Sequence, residues 1–371
     1  MTREECCSKR HEALEAFGLP GRIISCEKYG NGHINDTFLV ITEKDGAEKR
    51  YILQRMNTDV FKDPEMLMRN VVLVTDFLKE KIRSRGGDVE RETLNPLCIS
   101  EGKAYYKDSI GSYWRVYTFI TDAVSLDQVR SPQDFYESAV TFGRFSGQMA
   151  SFDASLLAET IPDFHNTPKR FETFWAAVEA DVCQRADSVR DEIAFFEAHK
   201  ADMEYCAGEL AQGLIPLRVT HNDTKLNNIM LDAKTGKGIC VIDLDTVMPG
   251  LSIFDFGDSI RFGANTAAED ERDLSKVSLS LELFETYVKG YLAGSDGALT
   301  DEEIRLMPYG AKTMTLECGM RFLTDYLQGD VYFMVHRDGH NLDRAHTQIR
   351  LVEDMENKWN EMERIVARGM S

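Results

Sequence analysis

Several absences narrow what this chain can be. Its eight cysteines, at 6, 7, 26, 98, 183, 206, 240 and 318, form no Cys-x-x-Cys pair and have no His-rich motif beside them. Neither a zinc site nor a disulfide framework is expected from that pattern. Several sit in apolar runs such as "GICVIDL", which predicts reduced, mostly buried thiols. No apolar stretch approaches the roughly 18 residues that a membrane-crossing helix requires. The opening "MTREECCSKRHEALEAFGL" is charged throughout and has no apolar signal core. A cytoplasmic protein with no membrane partner is the expectation. Basic residues are scarce, 43 Lys+Arg against 62 Asp+Glu, for a net charge of −19. Such a surface disfavours nucleic acid and anionic membrane, although a local basic or metal-filled cleft can still take an anion. Internal repeats and low-complexity segments are absent.

What is present is ample material for a core: 371 residues, 43% hydrophobic and 10% aromatic. That length points to two domains or lobes. A short helix is predicted over 4–17, ended by Gly18, then strands over 22–29, 37–42 and 50–56. A helix follows from about Pro64 to Arg83, with proline in its first turn and apolar residues at helical spacing. Further strands are expected at 97–100, 104–107 and 113–120. Beyond about Ala123, residues 132–150 and 168–212 are predicted helical, and so is the chain from 269 to the end. "LRVT", "IMLD" and "ICVIDLD" are predicted as strands, the last two forming a hairpin with Gly236 in its turn. The expected fold is α+β and bilobal: a β-rich N-terminal lobe over 1–120 and a mainly helical C-terminal lobe over 121–371.

The stretch "HNDTKLNN" (221–228) puts one carboxylate, one ammonium and three amides between two apolar segments. If the hairpin closes, Asn228 before it and Asp243 after it become neighbours. An amide oxygen with a carboxylate suits Mg²⁺, with phosphate and water completing the shell. Asp223 is then free to accept a hydroxyl proton, and Lys225 to neutralise a phosphoryl group in transit. Base, metal ligands and charge clamp are what phosphoryl transfer requires. Downstream, "FDFGD" contains the Asp-Phe-Gly tripeptide of a kinase metal motif. Asp255 lies beyond the hairpin and the "MPG" turn, so Asp255 and Asp258 are expected to be structural.

The unit "HNDTKLNNIMLDAKTGKGICVIDLD" resembles the protein-kinase pattern and, more closely, the aminoglycoside phosphotransferase and choline-kinase-like families. The segments "GHIN", "RYILQRMN", "MRNV", "WRVY", "VIDLDTVMPG", "FDFGDSIRFGA", "ECGMRFL" and "DYLQGDVYF" extend that likeness to the bacterial N-acetylhexosamine 1-kinases. The resemblance implies a protein-kinase-like fold and ATP- and Mg²⁺-dependent phosphorylation of the anomeric hydroxyl of N-acetylglucosamine or N-acetylgalactosamine. It implies a nucleotide loop at Gly30 and Gly32, an adenine site on the connector backbone near Phe119–Thr121, and Asp245 as a possible further metal ligand. It also implies that His33, Asn35, Arg321, Asp325 and Tyr332 surround the sugar. One departure stands out. The third strand should offer a cation to the α/β-phosphates, but "YILQRMN" puts Gln54 there and Arg55 on the opposite face; either Gln54 makes the nucleotide contact, more weakly, or a register change turns Arg55 to the cleft.

In "MTLECGMRFLTDYLQGDVYF", Glu317, Arg321 and Asp325 recur at i, i+4 and i+8 on one helix face. They form either a surface ion-pair ladder or a polar strip that binds a hydroxyl-rich ligand. Other acceptors (an amino alcohol, an aminoglycoside, homoserine) remain open. Choline-type sites need an aromatic cage for a cation, and the charge of Arg321 in this strip argues against a cationic acceptor. A nucleotide-binding pseudokinase would lack the base or metal residues, and Asp223, Asn228 and Asp243 are all present.

Overall fold

The first helix, α1 (Arg3–Phe17), stops because Gly18 adopts φ +56° and returns its N–H to the carbonyls of Leu14 and Glu15. These elements belong to a computed structural model that describes residues 3–30 and 34–370, with backbone only for 3–7. Three strands follow, β1 (Arg22–Lys28), β2 (Asp36–Lys44) and β3 (Ala47–Arg55). The β2–β3 turn is Asp45-Gly46, with φ of 55° and 80°, and Lys44 pairs with Ala47. A two-residue Asp-Gly turn of this hand matches the twist of its strands. With β4 (Tyr106–Lys107) and β5 (Tyr113–Thr118) they form one five-stranded sheet in the order β1-β2-β3-β5-β4. The strand expected at 97–100 is absent; Pro96, which lacks an N–H, makes only an isolated bridge to Tyr117.

Alternation divides the sheet. Phe38, Val40, Tyr51, Leu53, Trp114 and Val116 point to one face and pack with Ala13, Leu14 and Phe17 of α1. Thr37, Gln54 and Arg115 are cross-strand partners on the other face, toward α2 (Pro64–Ser84). That helix begins at Pro64 with Asp63 as its cap, accepting from the Met66 amide at 2.9 Å. Leu67, Val71, Val74, Leu78 and Ile82 form its buried stripe. A short α3 (Val89–Glu92) precedes β4.

Beyond β6 (Ala123–Val124) the chain is mainly helical: α4 (Pro132–Met149), α5 (Thr167–Ala180), α6 (Arg190–Ala198) and α7 (Lys200–Ala211). The single helix expected over 168–212 is therefore three, because Asp181 takes a left-handed cap at φ 35° and ends α5. Next come β7 (Arg218–Thr220), β8 (Ile229–Asp232), β9 (Gly238–Val241) and β10 (Met248–Gly250). The β8–β9 hairpin forms as expected, Ile229 opposite Val241, with Gly236 in its loop at φ 69°. A helix not expected from the sequence, α8 (Ser252–Gly263), carries the "FDFGD" segment. After it come α9 (Leu281–Ser295), α10 (Asp301–Arg305), α11 (Met307–Gln328), α12 (His340–Asn357) and α13 (Trp359–Gly369).

Among the described residues no helix is long and apolar enough to cross a membrane. The six described cysteines are free, but only Cys206 and Cys240 are buried, and Cys98 and Cys183 are exposed. The expectation of mostly buried thiols is corrected on that point.

The depth of α8 is set by glycine. A Cβ on Gly257 would lie 2.2 Å from the Gly310 carbonyl oxygen of α11, and one on Gly310 would lie 2.1 Å from the Ile253 carbonyl oxygen. The two backbones touch, so neither position has room for a methyl group. Gly257→Ala is expected to lower unfolding free energy by about 1–3 kcal/mol through overpacking, measured by urea denaturation. A smaller loss would mean that the helices separate freely.

Candidate active site

Strand β7 delivers the chain to His221, and Asn222 then turns it with φ +64°. Asparagine tolerates this left-handed conformation because its short amide bonds locally. Here Asn222 accepts from the Thr220 hydroxyl at 2.9 Å and donates to the Thr246 carbonyl at 2.9 Å. His221 is fully buried, edge-on to Phe142 and Phe145. Its Nε2 meets the Ile242 carbonyl at 2.9 Å, so that nitrogen carries the proton and Nδ1 accepts the Asp223 amide at 3.3 Å.

Beneath this loop lies α8. Both oxygens of Asp255 accept backbone N–H groups, from His221 and Asn222, each at 2.7 Å. Asp258 accepts from the Thr224 amide at 3.1 Å and is paired with Arg261 at 2.9 Å. Burial pushes the Asp255 carboxyl up to about 6. Asp258 is equally buried, yet Arg261 holds it below the ordinary range.

Asp223 accepts from Lys225 Nζ at 3.0 Å and from Asn228 Nδ2 at 2.9 Å. The same Asn228 nitrogen reaches the Asp223 carbonyl at 2.8 Å. Burial opposes the Lys225 charge, but Asp223 raises its pKa overall, so it stays an ammonium. The Ile242 amide donates to the Asn228 carbonyl at 2.8 Å, which brings Asn228 beside the residue preceding Asp243. Asp243 turns the chain at φ 58°. Asp243 is exposed at the surface, yet the protein around its carboxyl removes part of its hydration. That desolvation, with the charges of Asp245 and Asp223, pushes its pKa up. A carboxylate disfavoured by neighbouring negative charge is where a divalent cation gains most. With the Asn228 amide nitrogen committed to Asp223, its oxygen and the Asp243 carboxylate are hard oxygen donors of the kind Mg²⁺ takes.

The other expected ligand, Asp245, is otherwise engaged. Arg115 grips both its oxygens, at 2.5 and 2.9 Å, and Asn35 Nδ2 bonds one of them at 2.7 Å. The Asn35 amide oxygen accepts from the Asn57 amide at 3.0 Å, so Asn35 is committed at both ends. Gln54 donates to Thr37 at 3.0 Å and accepts from Arg115 Nε at 2.9 Å. Arg55 lies on the opposite face from Gln54 and pairs with Asp36. Gly30 takes φ 72°; Gly32 and His33 lie outside the described residues. On the connector, the Phe119 amide donates to the Arg50 carbonyl, and the Thr121 carbonyl accepts from Arg91. Sequence reasoning passed over Arg115, whose signal was a charge inside the apolar run "YWRVYTFI".

The strip on α11 does not act as one unit. Glu317 is buried with His165 Nδ1 at 2.7 Å and the Thr167 hydroxyl at 2.8 Å. Arg321 has its guanidinium carbon 5.6, 5.9 and 5.5 Å from the ring centres of Phe164, Tyr332 and Phe333. Asp325 is 2% exposed and accepts the backbone N–H groups of Val331, Tyr332 and Phe333 at 2.8–2.9 Å, together with the Asn341 amide. It anchors the loop that presents Tyr332, itself 64% exposed. Of the two alternatives for the strip, the surface ladder does not form. His165, also unforeseen, joins Glu317 to the carbonyl of Asn222 at 3.3 Å, one residue before Asp223.

A second polar cluster, His199, Asp202 and Glu356, already holds a cation. Lys312 Nζ lies 2.8 Å from both carboxylates.

Residues 25–296 match the phosphotransferase enzyme family. The backbone is similar to that of an aminoglycoside phosphotransferase from Alicyclobacillus acidocaldarius, with a TM-score of 0.63, 12% identity and 96% of each chain covered. It is similar to choline kinase from Cryptosporidium parvum, at TM-score 0.54 and 14% identity, over 91% of this chain and 90% of that one. The GDP complex of aminoglycoside 2′-phosphotransferase-IIIa aligns at TM-score 0.52 and 13% identity, over 96% and 100%. At these identities the likeness is one of fold.

The His165–Glu317 pair carries a pH signature. Burial would lower the His165 pKa, but Glu317 outweighs it and the net shift is upward. The pKa of Glu317 is shifted down against its own burial, chiefly by His165. The histidine's contribution is complete below its ordinary 6.5 and is lost as pH rises through the raised value. The glutamate's is complete above its ordinary 4.5 and is lost as pH falls through the lowered value. Thermal melts should therefore show Glu317→Gln costing most between pH 4.5 and 6.5, about 3–5 kcal/mol for a broken buried pair, and less at alkaline pH. A cost independent of pH would mean that His165 is neutral throughout.

Proposed function

The chain belongs to the phosphotransferase enzyme family, and from that premise we propose that it is an N-acetylhexosamine 1-kinase that uses ATP and Mg²⁺. The observation that carries phosphoryl transfer is the return of the hairpin: the Ile242 N–H on the Asn228 carbonyl brings Asp243 round to the Asn228–Asp223–Lys225 cluster. In this reading the N-terminal lobe, ending near residue 120, takes the nucleotide with its glycine loop and connector. Asn228 and Asp243 would hold Mg²⁺, which supplies charge neutralisation at the β/γ-phosphates. Asp245, whose oxygens are taken, is left out of that set.

Asp223 orients the sugar O1 and accepts its proton as the bond from O1 to the γ-phosphorus forms. The bond from that phosphorus to the bridging oxygen breaks, and ADP leaves. An anomeric hydroxyl is more acidic than other sugar hydroxyls, so a carboxylate suffices as base. Lys225, an ammonium 3.0 Å from Asp223, offsets charge on the equatorial oxygens. The ring-framed Arg321 and Tyr332, with His33 from the loop, are assigned to the sugar. Arg321 supports a neutral hydroxyl-rich acceptor over an aminoglycoside or an amino alcohol, since a cationic substrate would meet its charge. Asn35 and Asp325, whose polar atoms are engaged, are assigned to holding the site.

ATP consumption should be followed with N-acetylglucosamine, N-acetylgalactosamine, choline, ethanolamine and an aminoglycoside as acceptors. The expected result is turnover on an N-acetylhexosamine, with a product labile to mild acid and an anomeric phosphorus signal. Asp223→Asn should reduce kcat by about 10²–10⁴-fold. Phosphate found on O6, or turnover confined to the cationic acceptors, would sink the assignment. An unchanged rate in Asp223→Asn would sink the mechanism.

A further inference from the structure

Protein kinases contact the nucleotide phosphates with a lysine on the third strand, paired to a glutamate on the following helix. Among the described residues no such pair joins β3 to α2. Gln54 stands at the strand position, and the α2 side chain against Arg115 is Met68, whose sulfur is 3.8 Å from Nη1. The charge pair has moved. Its cation is Arg115 on β5, across the register from Gln54, and its anion is Asp245, in the turn after β9. Both side chains are buried, at 1% and 4% exposure.

The bonds of Arg115 are nearly all committed. Nε goes to Gln54, and both terminal nitrogens go to Asp245. Little remains for a phosphate. The pair instead ties the sheet to the segment bearing Asp243, two residues upstream. That segment needs holding, because Asp243 sits at φ 58°, a conformation that persists only where its surroundings over-determine it. Asn35, which follows the glycine loop, grips Asp245 from a second direction at 2.7 Å. The Thr160 hydroxyl donates to the Asp245 carbonyl at 3.0 Å.

We propose that Arg115, braced by Gln54 and assisted by Asn35, is a positioning residue that clamps Asp245 and so fixes the Asp243 carboxylate for its cation. The clamp joins the sheet to the turn that carries Asp243, whereas the lysine–glutamate pair of protein kinases joins the sheet to the following helix. It rests on the phosphotransfer reading. It adds that Arg115 serves the metal site without touching the phosphates.

The test measures Mn²⁺ affinity in the presence of ADP, by electron paramagnetic resonance, and adenosine affinity without metal, by calorimetry. Arg115→Lys keeps the charge but loses the fork and the bond to Gln54. Arg115→Gln combined with Asp245→Asn removes both charges and leaves none buried alone. Asn35→Ala loosens the clamp with no change in charge and serves if the others do not fold. The expected result is Mn²⁺ affinity lowered about tenfold in the folded Arg115 variants and a few-fold in Asn35→Ala. Adenosine affinity should stay within twofold, and amide exchange over 243–247 should quicken. Unchanged Mn²⁺ affinity in folded variants would overturn the clamp. So would a parallel loss of adenosine, which would make Arg115 a determinant of the nucleotide cleft. If the wild-type protein binds Mn²⁺ with ADP but shows no sugar turnover, the sugar assignment fails and the clamp stands. If it binds neither nucleotide nor metal, the phosphotransfer reading falls and takes the clamp with it.

Discussion

One buried carboxylate determines the shape of the site. Asp255 takes the consecutive amides of His221 and Asn222 where the chain turns left-handed, and those amides have no sheet or helix partner of their own. Without that acceptor the kink would leave two buried N–H groups unpaired, a cost of about 1–3 kcal/mol for each. The carboxylate suffers in exchange, since burial pushes it up to about 6. Its position depends on α8, and the depth of α8 depends on Gly257 lying against Gly310. Asp258, one turn on, fixes the Thr224 amide from the same helix face. A glycine contact between two helices thus determines where Asp223 stands.

Asp223 is flanked by two left-handed residues of different kinds. Asn222 is braced from within its own region, by Thr220, Thr246 and α8. Asp243 is braced from outside, because the residue two positions on is held by β5 and by Asn35. Asp223, the proposed base, therefore belongs to a unit braced by itself, while the turn proposed to carry the metal depends on how the sheet meets the helices. The buried Arg115–Asp245 pair need not add to stability, since removing two charges from water costs about as much as their attraction returns. Its value lies in geometry. A forked guanidinium admits one orientation of a carboxylate, and an apolar contact would admit several.

Much of this was legible in sequence, because the informative features are local. Asp45-Gly46, Asp63-Pro64 and the apolar periodicity of α2 each specify their own backbone. The spacing from Asn228 to Asp243 specifies a closed hairpin. What was not legible depends on distant partners. The break after Ala180 has no glycine to mark it and is made by Asp181 in a left-handed cap. The tripeptide Asp-Phe-Gly suggests a loop, yet here it opens a helix, and its neighbours alone reveal no glycine contact with α11. Glu317, Arg321 and Asp325 share a face by spacing, but they serve three different partners, and spacing cannot say which. Reading Gln54 and Arg55 on opposite faces of β3 left open which cation serves the sheet. Only the register of β3 on β5 points to Arg115.

The proposed substrate side rests on how Arg321 is held. Hydrogen bonds and ion pairs account for Glu317 and Asp325, whereas aromatic ring faces frame Arg321. A ring quadrupole attracts a cation without occupying its N–H groups, so the donors stay available in a chain that carries a net charge of −19. A guanidinium with open donors, beside an exposed tyrosine on a loop pinned by Asp325, presents hydrogen bonds to oxygen atoms and repels ammonium groups. Under the proposed reading that charge favours an uncharged polyol, and a chain of contacts runs from Glu317 through His165 to the Asn222 carbonyl, one residue before Asp223, the proposed base.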